Sequence, residues 1–151
     1  MSVRIHIAVM IDASPADVWQ AVEEIETHVE WMADAEKITF RSEAHSGVGA
    51  AFDCLTVVGP LRTTDHFVVT RWEPGVAMGI EHRGAVTGTG EFTLAPMRDG
   101  AATQFTWEEV LTFPWWMGGP VGEVAGKPVL ERIWKGNLKR LKAKVERTSL
   151  A

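Results

Sequence analysis

The sequence has no tyrosine and only one cysteine, Cys54. A single thiol forms no internal disulfide, which fits a reducing compartment. With no phenol present, any acid–base chemistry must fall to Glu, His, Asp, Arg, Ser or Thr. No apolar run approaches the length of a membrane span. The alternating start Met1-Ser2-Val3-Arg4-Ile5-His6 has no apolar core of a secretory leader. The expected location is therefore the cytoplasm, with no integral membrane segment. Net charge is -5, which argues against a dedicated nucleic-acid binder. HExxH, CxxC, P-loop and GxSxG motifs are all missing. Gly88-Thr89-Gly90 is too short for a dinucleotide fingerprint. His6, His28, His45, His66 and His82 fall on separate predicted elements, without the convergence a metal site needs. Neither metal nor cofactor is expected.

What is present is a pattern of strands closed by one long helix. The chain has 151 residues, 46% of them hydrophobic, enough for one domain over residues 1–151 with a real core. Val3, Ile5, Ile7, Val9 and Ile11 alternate with Arg4, His6, Ala8 and Met10, a half-buried strand with His6 outward. Ser14-Pro15-Ala16-Asp17 carries the signals of a helix start: a capping hydroxyl, a first-turn proline and an acid near the positive dipole end. Val18, Val22 and Ile25, with Trp19 beside them, supply its buried side. Thr27 and Glu30 have capping-box spacing, which predicts a second short helix carrying His28, Val29, Trp31 and Met32. Strands then follow over 36–41, 51–58, 61–72, 76–82, 86–95 and 102–113. The turns Gly59-Pro60, Glu73-Pro74-Gly75 and Arg98-Asp99-Gly100 separate several of them. Apolar residues fall on both faces of 61–72, so its inward face stays open. Gly88 and Gly90 inside a strand predict a bend or a close backbone approach. Leu130, Ile133, Trp134, Leu138, Leu141 and Val145 form the stripe of a terminal helix. Pro128 predicts a kink or a late start near that residue, with a looser turn over 120–126. Residues 127–147 hold eight Lys/Arg against Glu131 and Glu146. That charge reads as a solvated face or as a basic docking surface. The class is α+β, with seven mainly antiparallel strands.

The run Ala13-Ser14-Pro15-Ala16-Asp17-Val18-Trp19, the Glu30-Trp31-Met32 step, the meander and the terminal helix resemble the START/Bet v 1-like (SRPBCC) superfamily. Within it, the pattern is similar to the bacterial polyketide cyclase/dehydrase-type branch, over nearly the whole chain. The resemblance implies a helix-grip fold: a seven-stranded antiparallel sheet curled around the C-terminal helix. Two short helices after the first strand would close one end. It also implies a hydrophobic cavity between sheet and helix. The superfamily spans aromatase/cyclases, lipid and hormone carriers and allergens, so fold alone does not assign an activity.

Glu109 shares a strand face with Phe105, Trp107, Leu111 and Phe113. A carboxylate there is desolvated, and its pKa rises unless a cation or donor meets it. It could move protons or anchor a polar ligand group; equally, it could be a paired structural charge. His82, in phase with Val76, Met78 and Ile80, is either a proton shuttle or a satisfied strand-end histidine. Arg62 reads as a solvent-facing residue that could reach a ligand carboxylate. Trp31, Met32, Trp107, Phe113, Trp115, Trp116, Trp134 and Leu138 are candidate ligand contacts, since large aromatics suit pocket walls. Trp115-Trp116, between Pro114 and Gly118-Gly119, cannot easily both point inward. At least one belongs at a cavity mouth, a dimer contact or a membrane surface.

Three functions follow from these residues. The first is binding of a small hydrophobic molecule that is lipid-, polyketide- or aromatic-like, by a monomer or homodimer. The second is a cyclase/aromatase or dehydratase using Glu109 or His82. The third is a partner-binding module built on Trp115-Trp116. An apolar cavity favours the first, and unpaired polar groups around an open volume favour the second.

Overall fold

The computed structural model describes residues 2–150, the side chain of Leu150 excepted. The first strand, β1 (Val3–Ile11), buries Val3, Ile5, Ile7 and Ile11 and exposes His6, as its alternation requires. Helix α1 (Pro15–Val22) starts as its caps dictate. The Ser14 hydroxyl accepts from the Asp17 amide at 3.2 Å, and Pro15 opens the first turn. The next segment differs from expectation. Ile25–Glu30 is the second short helix expected after α1, but it is a 3₁₀ helix that starts before Thr27 and has no side-chain cap. Thr27 spends its hydroxyl on the Glu24 carbonyl at 2.7 Å instead of capping a following turn. Trp31 and Met32 lie just beyond it, and Ile25 belongs to it and not to α1.

Six more strands follow: β2 (Ala35–Phe40), β3 (Ala51–Val58), β4 (Leu61–Glu73), β5 (Ala77–Arg83), β6 (Thr87–Met97) and β7 (Ala102–Thr112). They form one antiparallel sheet in the order β1-β7-β6-β5-β4-β3-β2. β5 begins one residue later than its pattern predicts, and Val76 is exposed in the preceding turn. Between β6 and β7, Arg98 and Asp99 take positive φ values of 50° and 57°, giving the tight reversal expected of Arg-Asp-Gly.

The open question about β4 has a local cause. Asp65 and Val69 are buried and face inward with Phe67, but the register shifts between Val69 and Arg71. A bulge of this kind changes which residues face in. Trp72 thereby comes inward to pack edge-on against Trp19, with ring centroids 5.2 Å apart. On the other face, His66 meets Asp53 at 2.6 Å.

Helix α2 (Gly119–Leu150) is continuous from residue 119, so Pro128 neither ends nor delays it. Contacts fixed elsewhere override the local cost of proline. The Glu123 carboxylate holds the Phe113 amide at 2.9 Å, and Phe113 packs on Gly122 and Gly126. Further along, Trp134, Leu138, Leu141 and Val145 join Ile5, Ile7, Ile11, Phe105 and Trp107 in the main core. The result is an α+β helix-grip fold, with α2 against the inner face of the sheet. No helix among the described residues is long and apolar enough to cross a membrane.

Candidate ligand cavity

Sheet and helix do not close completely against each other. An inner chamber of about 120 Å³ lies among Met32, Phe52, Phe67, Ile80, Trp107 and Trp134. An outer lobe of about 210 Å³ continues between Val58, Leu61, Phe113, Met117, Val129 and Leu130. Asp34, Thr56, Asp65 and Trp134 line both, so they form the waist between the two. A dry cavity of about 150 Å³ holds a benzene-sized ring, so the inner chamber is ring-sized. A larger groove of about 510 Å³ lies on the outer face of the sheet. Arg4, Thr89, Thr93, Thr106 and Glu108 line it, and it lacks the apolar walls of a small-molecule site.

The polar wall of the inner chamber is built by a gap in one strand. The inward positions of β6 are Gly88, Gly90, Phe92 and Leu94. The two glycines carry no side chain between β5 and β7, which lie two strand spacings apart, roughly 10 Å. Across that gap His82 Nε2 reaches Glu109 Oε2 at 2.6 Å. Gly90 pairs directly with Glu109, and a Cβ placed on it would lie 2.5 Å from Oε1. On Gly88 a Cβ would lie 1.8 Å from the Val110 carbonyl oxygen. The strand glycines therefore mark a close approach of backbone and a space for the carboxylate.

Glu109 is buried, and both its oxygens are engaged. Trp107 Nε1 donates to Oε1 at 3.0 Å. Since the carboxylate accepts, the proton of a neutral His82 sits on Nε2, and Nδ1, buried and without a protein partner, is left as an acceptor. His82 stands behind Glu109 and packs edge-on against Phe67, with ring centroids 4.6 Å apart.

Asp65 is the second carboxyl of the site. Thr56 Oγ1 donates to its Oδ2 at 2.8 Å, while Oδ1 is buried without a partner among the described residues. Burial raises its pKa first of all. The Thr56 hydroxyl, His82 and Thr63 act against that rise, and the nearby Glu109 charge adds to it. Asp34 is tied down by helix α2: Trp134 Nε1 donates to it at 3.0 Å and Asn137 Nδ2 at 2.8 Å. The Trp134 ring stacks on Trp107 at 4.7 Å and closes one side of the chamber. His28 also lines the chamber. Desolvation lowers its pKa to about 4, so it is neutral, with Nε2 2.7 Å from the Val22 carbonyl. Burial pushes the Cys54 thiol up to about 11, which keeps it protonated.

The residues singled out from sequence do not all reach the cavity. Met32, Trp107, Glu109 and Trp134 line the inner chamber, and Phe113 lines the outer lobe. His82 supports Glu109 from behind. Trp31 and Leu138 are buried in the core without lining either lobe, and Trp31 Nε1 has no partner among the described residues. Trp115 and Trp116 form an exposed 3₁₀ turn with Met117; they are 87% and 52% accessible. Arg62 lies at the surface with Glu36 at 3.3 Å. Sequence reasoning did not single out Asp34, Thr56 or His28 for the cavity. Asp65 was in phase with Phe67 and Val69, but the bulge blurred that signal.

The fold recurs in solved structures of low identity. A Thermus thermophilus protein, TTHA0849, matches with TM-score 0.78 and 15% identity, covering 99% of each chain. The Zhui aromatase/cyclase from Streptomyces sp. R1128 matches with TM-score 0.79 and 15% identity, over 97% of this chain and 95% of that one. The di-domain ARO/CYC StfQ from the steffimycin biosynthetic pathway matches with TM-score 0.80 and 16% identity. All of this chain corresponds to 53% of StfQ. At such identities the likeness is one of fold. No curated protein matches the sequence significantly. Residues 2–146 match the family described as polyketide cyclase / dehydrase and lipid transport, and the chain belongs to that family.

Proposed function

We propose that the protein binds a small, largely apolar molecule of about one or two rings with a hydroxyl or enol group at one end. The supporting observation is the two-lobed apolar cavity whose wall carries, beside the α2-bound Asp34, the carboxyl groups of Glu109 and Asp65. Apolar walls favour a ring, and desolvated polar groups fix its orientation. Glu109, held by two donors, offers acceptor capacity. Asp65, whose pKa burial raises, adds an O–H donor to the same wall when it is protonated. A hydroxyl or enol both donates and accepts, and so satisfies both.

A second reading has its own support. A carboxylate backed by a histidine, on the same wall as a carboxyl whose pKa is raised, has the parts of an acid–base pair. Such a pair suits the proton transfers of a cyclase/aromatase or dehydratase acting on a polyketide-like substrate. Native mass spectrometry of the purified protein tests the binding reading, because a retained ligand reports its mass. Glu109→Gln should then weaken retention at least tenfold, with an unchanged circular dichroism spectrum. Unchanged retention in that variant refutes the role of Glu109. Turnover of the retained compound, lost in Glu109→Gln and Asp65→Asn alike, would select the enzyme reading.

A further inference from the structure

The segment that leads into and begins α2 presents apolar surface on the outside of the molecule. Among the described residues, five of the eleven exposed large hydrophobic side chains fall within residues 115–129: Trp115, Trp116, Val121, Val124 and Val129. The turn that displays the indoles is fixed in place. Gly118 takes φ 94°, and a Cβ on Gly122 would lie 2.0 Å from the Met117 carbonyl oxygen. The turn is therefore clamped onto the first turn of the helix, and the indoles are held outward.

Helical periodicity extends this surface. Val121, Val124, Pro128, Arg132, Lys135 and Lys139 recur at three- and four-residue steps, and all are exposed. They lie opposite the inward stripe of buried Glu123, Trp134 and Leu141 and half-buried Leu130. The outward line is apolar in its first half and cationic in its second. Among the described residues, no carboxylate lies within 4.0 Å of Arg132, Lys135 or Lys139, whereas Lys127, Lys142 and Lys144 are each paired. Glu131, one position off the line, is taken up by Lys127. The line spans nineteen residues, about 27 Å at the helical rise.

We infer that Trp115, Trp116 and the outward line of α2 dock onto an anionic lipid bilayer. The partner must accept two indoles and the valines at one end, and three unpaired cations beside them. A bilayer with acidic headgroups offers both layers at the required depths. Indoles settle at the headgroup boundary, with the ring in apolar surroundings and the N–H toward water. The cations meet the negative surface potential. Net charge over the chain is -5, so attraction of the whole molecule cannot substitute for this local patch. The inference does not depend on what the cavity holds.

The test is co-sedimentation of the purified protein with phosphatidylcholine vesicles, with and without one-third phosphatidylserine. Expected is binding to the anionic vesicles at least tenfold stronger than to the neutral ones, falling as salt rises. Trp115→Ala with Trp116→Ala, and separately Lys135→Glu with Lys139→Glu, should each reduce it at least tenfold. These positions are exposed, so folding should be retained, which circular dichroism checks. No sedimentation with anionic vesicles overturns the inference. Equal binding to neutral vesicles, or full binding by the charge variant, overturns it as well. A homodimer that dissociates in the Trp115/Trp116 variant, without vesicle binding, would assign the surface to a second copy instead.

Discussion

In Gly90→Ala the new methyl carbon would lie 2.5 Å from Glu109 Oε1, 2.6 Å from Cδ and 2.8 Å from Oε2. Backbone geometry does not oppose the change, because Gly90 has no positive φ. Strand propensity alone would make alanine about 0.5–1 kcal/mol more stable than glycine. The packing predicts the opposite sign. The carboxylate must move, and it loses the contacts with His82 Nε2 and Trp107 Nε1. A hydrogen bond to a charged group contributes about 1.5–3 kcal/mol and an ordinary one about 1 kcal/mol. After the propensity gain, the net expected loss is about 2–3 kcal/mol. Urea unfolding followed by tryptophan fluorescence measures it through the midpoint, at constant m. The same substitution in a Glu109→Ala background should cost far less, giving a coupling energy of the size expected for touching residues. A neutral or stabilising Gly90→Ala in the native background would refute the account of the glycine gap.

Two further predictions concern pH. Burial raises the Asp65 pKa above its ordinary value, so the folded state holds that proton after the unfolded state has released it. Stability from this group is present below the unfolded pKa and is lost as pH rises through the folded one. Asp65→Asn should therefore be more stable than the parent at pH 7, with the advantage shrinking toward pH 3.5; a constant difference in thermal midpoint across that range would contradict it. His28 works in the other direction, because its pKa falls from 6.5 to about 4 in the folded state. Its contribution is present above pH 6.5 and is lost as pH falls toward 4, a span worth about 3 kcal/mol. His28→Gln should flatten urea-derived stability between those pH values, and an equally steep decline in the variant would exclude His28 as the cause.

Much of the fold was legible because each signal was local. The alternation of β1 needs only period two, and the start of α1 needs only Ser14, Pro15 and Asp17. Glu109 was visible for the same reason, as a carboxyl in phase with Phe105, Trp107 and Leu111. Its partners were not visible. His82 meets it only through the register of three strands, and the glycines announced a close approach without naming what approached. Asp65 was hidden by a one-residue bulge that puts Trp72 on its side of β4. Pro128 misled because its cost is local, whereas the contacts holding α2 come from Phe113 and from the sheet. Asp34 has no sequence signal: it lies before β2, and its donors come from a helix about a hundred residues later.

The strand order has a consequence for how the molecule assembles. β1 is made before the rest of the sheet, yet it pairs with β7, and Val3 sits opposite Leu111. Its buried face also packs with α2, which is made after all seven strands. During synthesis Val3, Ile5, Ile7 and Ile11 have no native partner until most of the chain has emerged. Pairings so distant in sequence carry a large loop-closure cost and form slowly. The growing chain must keep its most apolar strand from pairing elsewhere, and the hairpins from β2 to β7, joined by connections local in sequence, are free to form first.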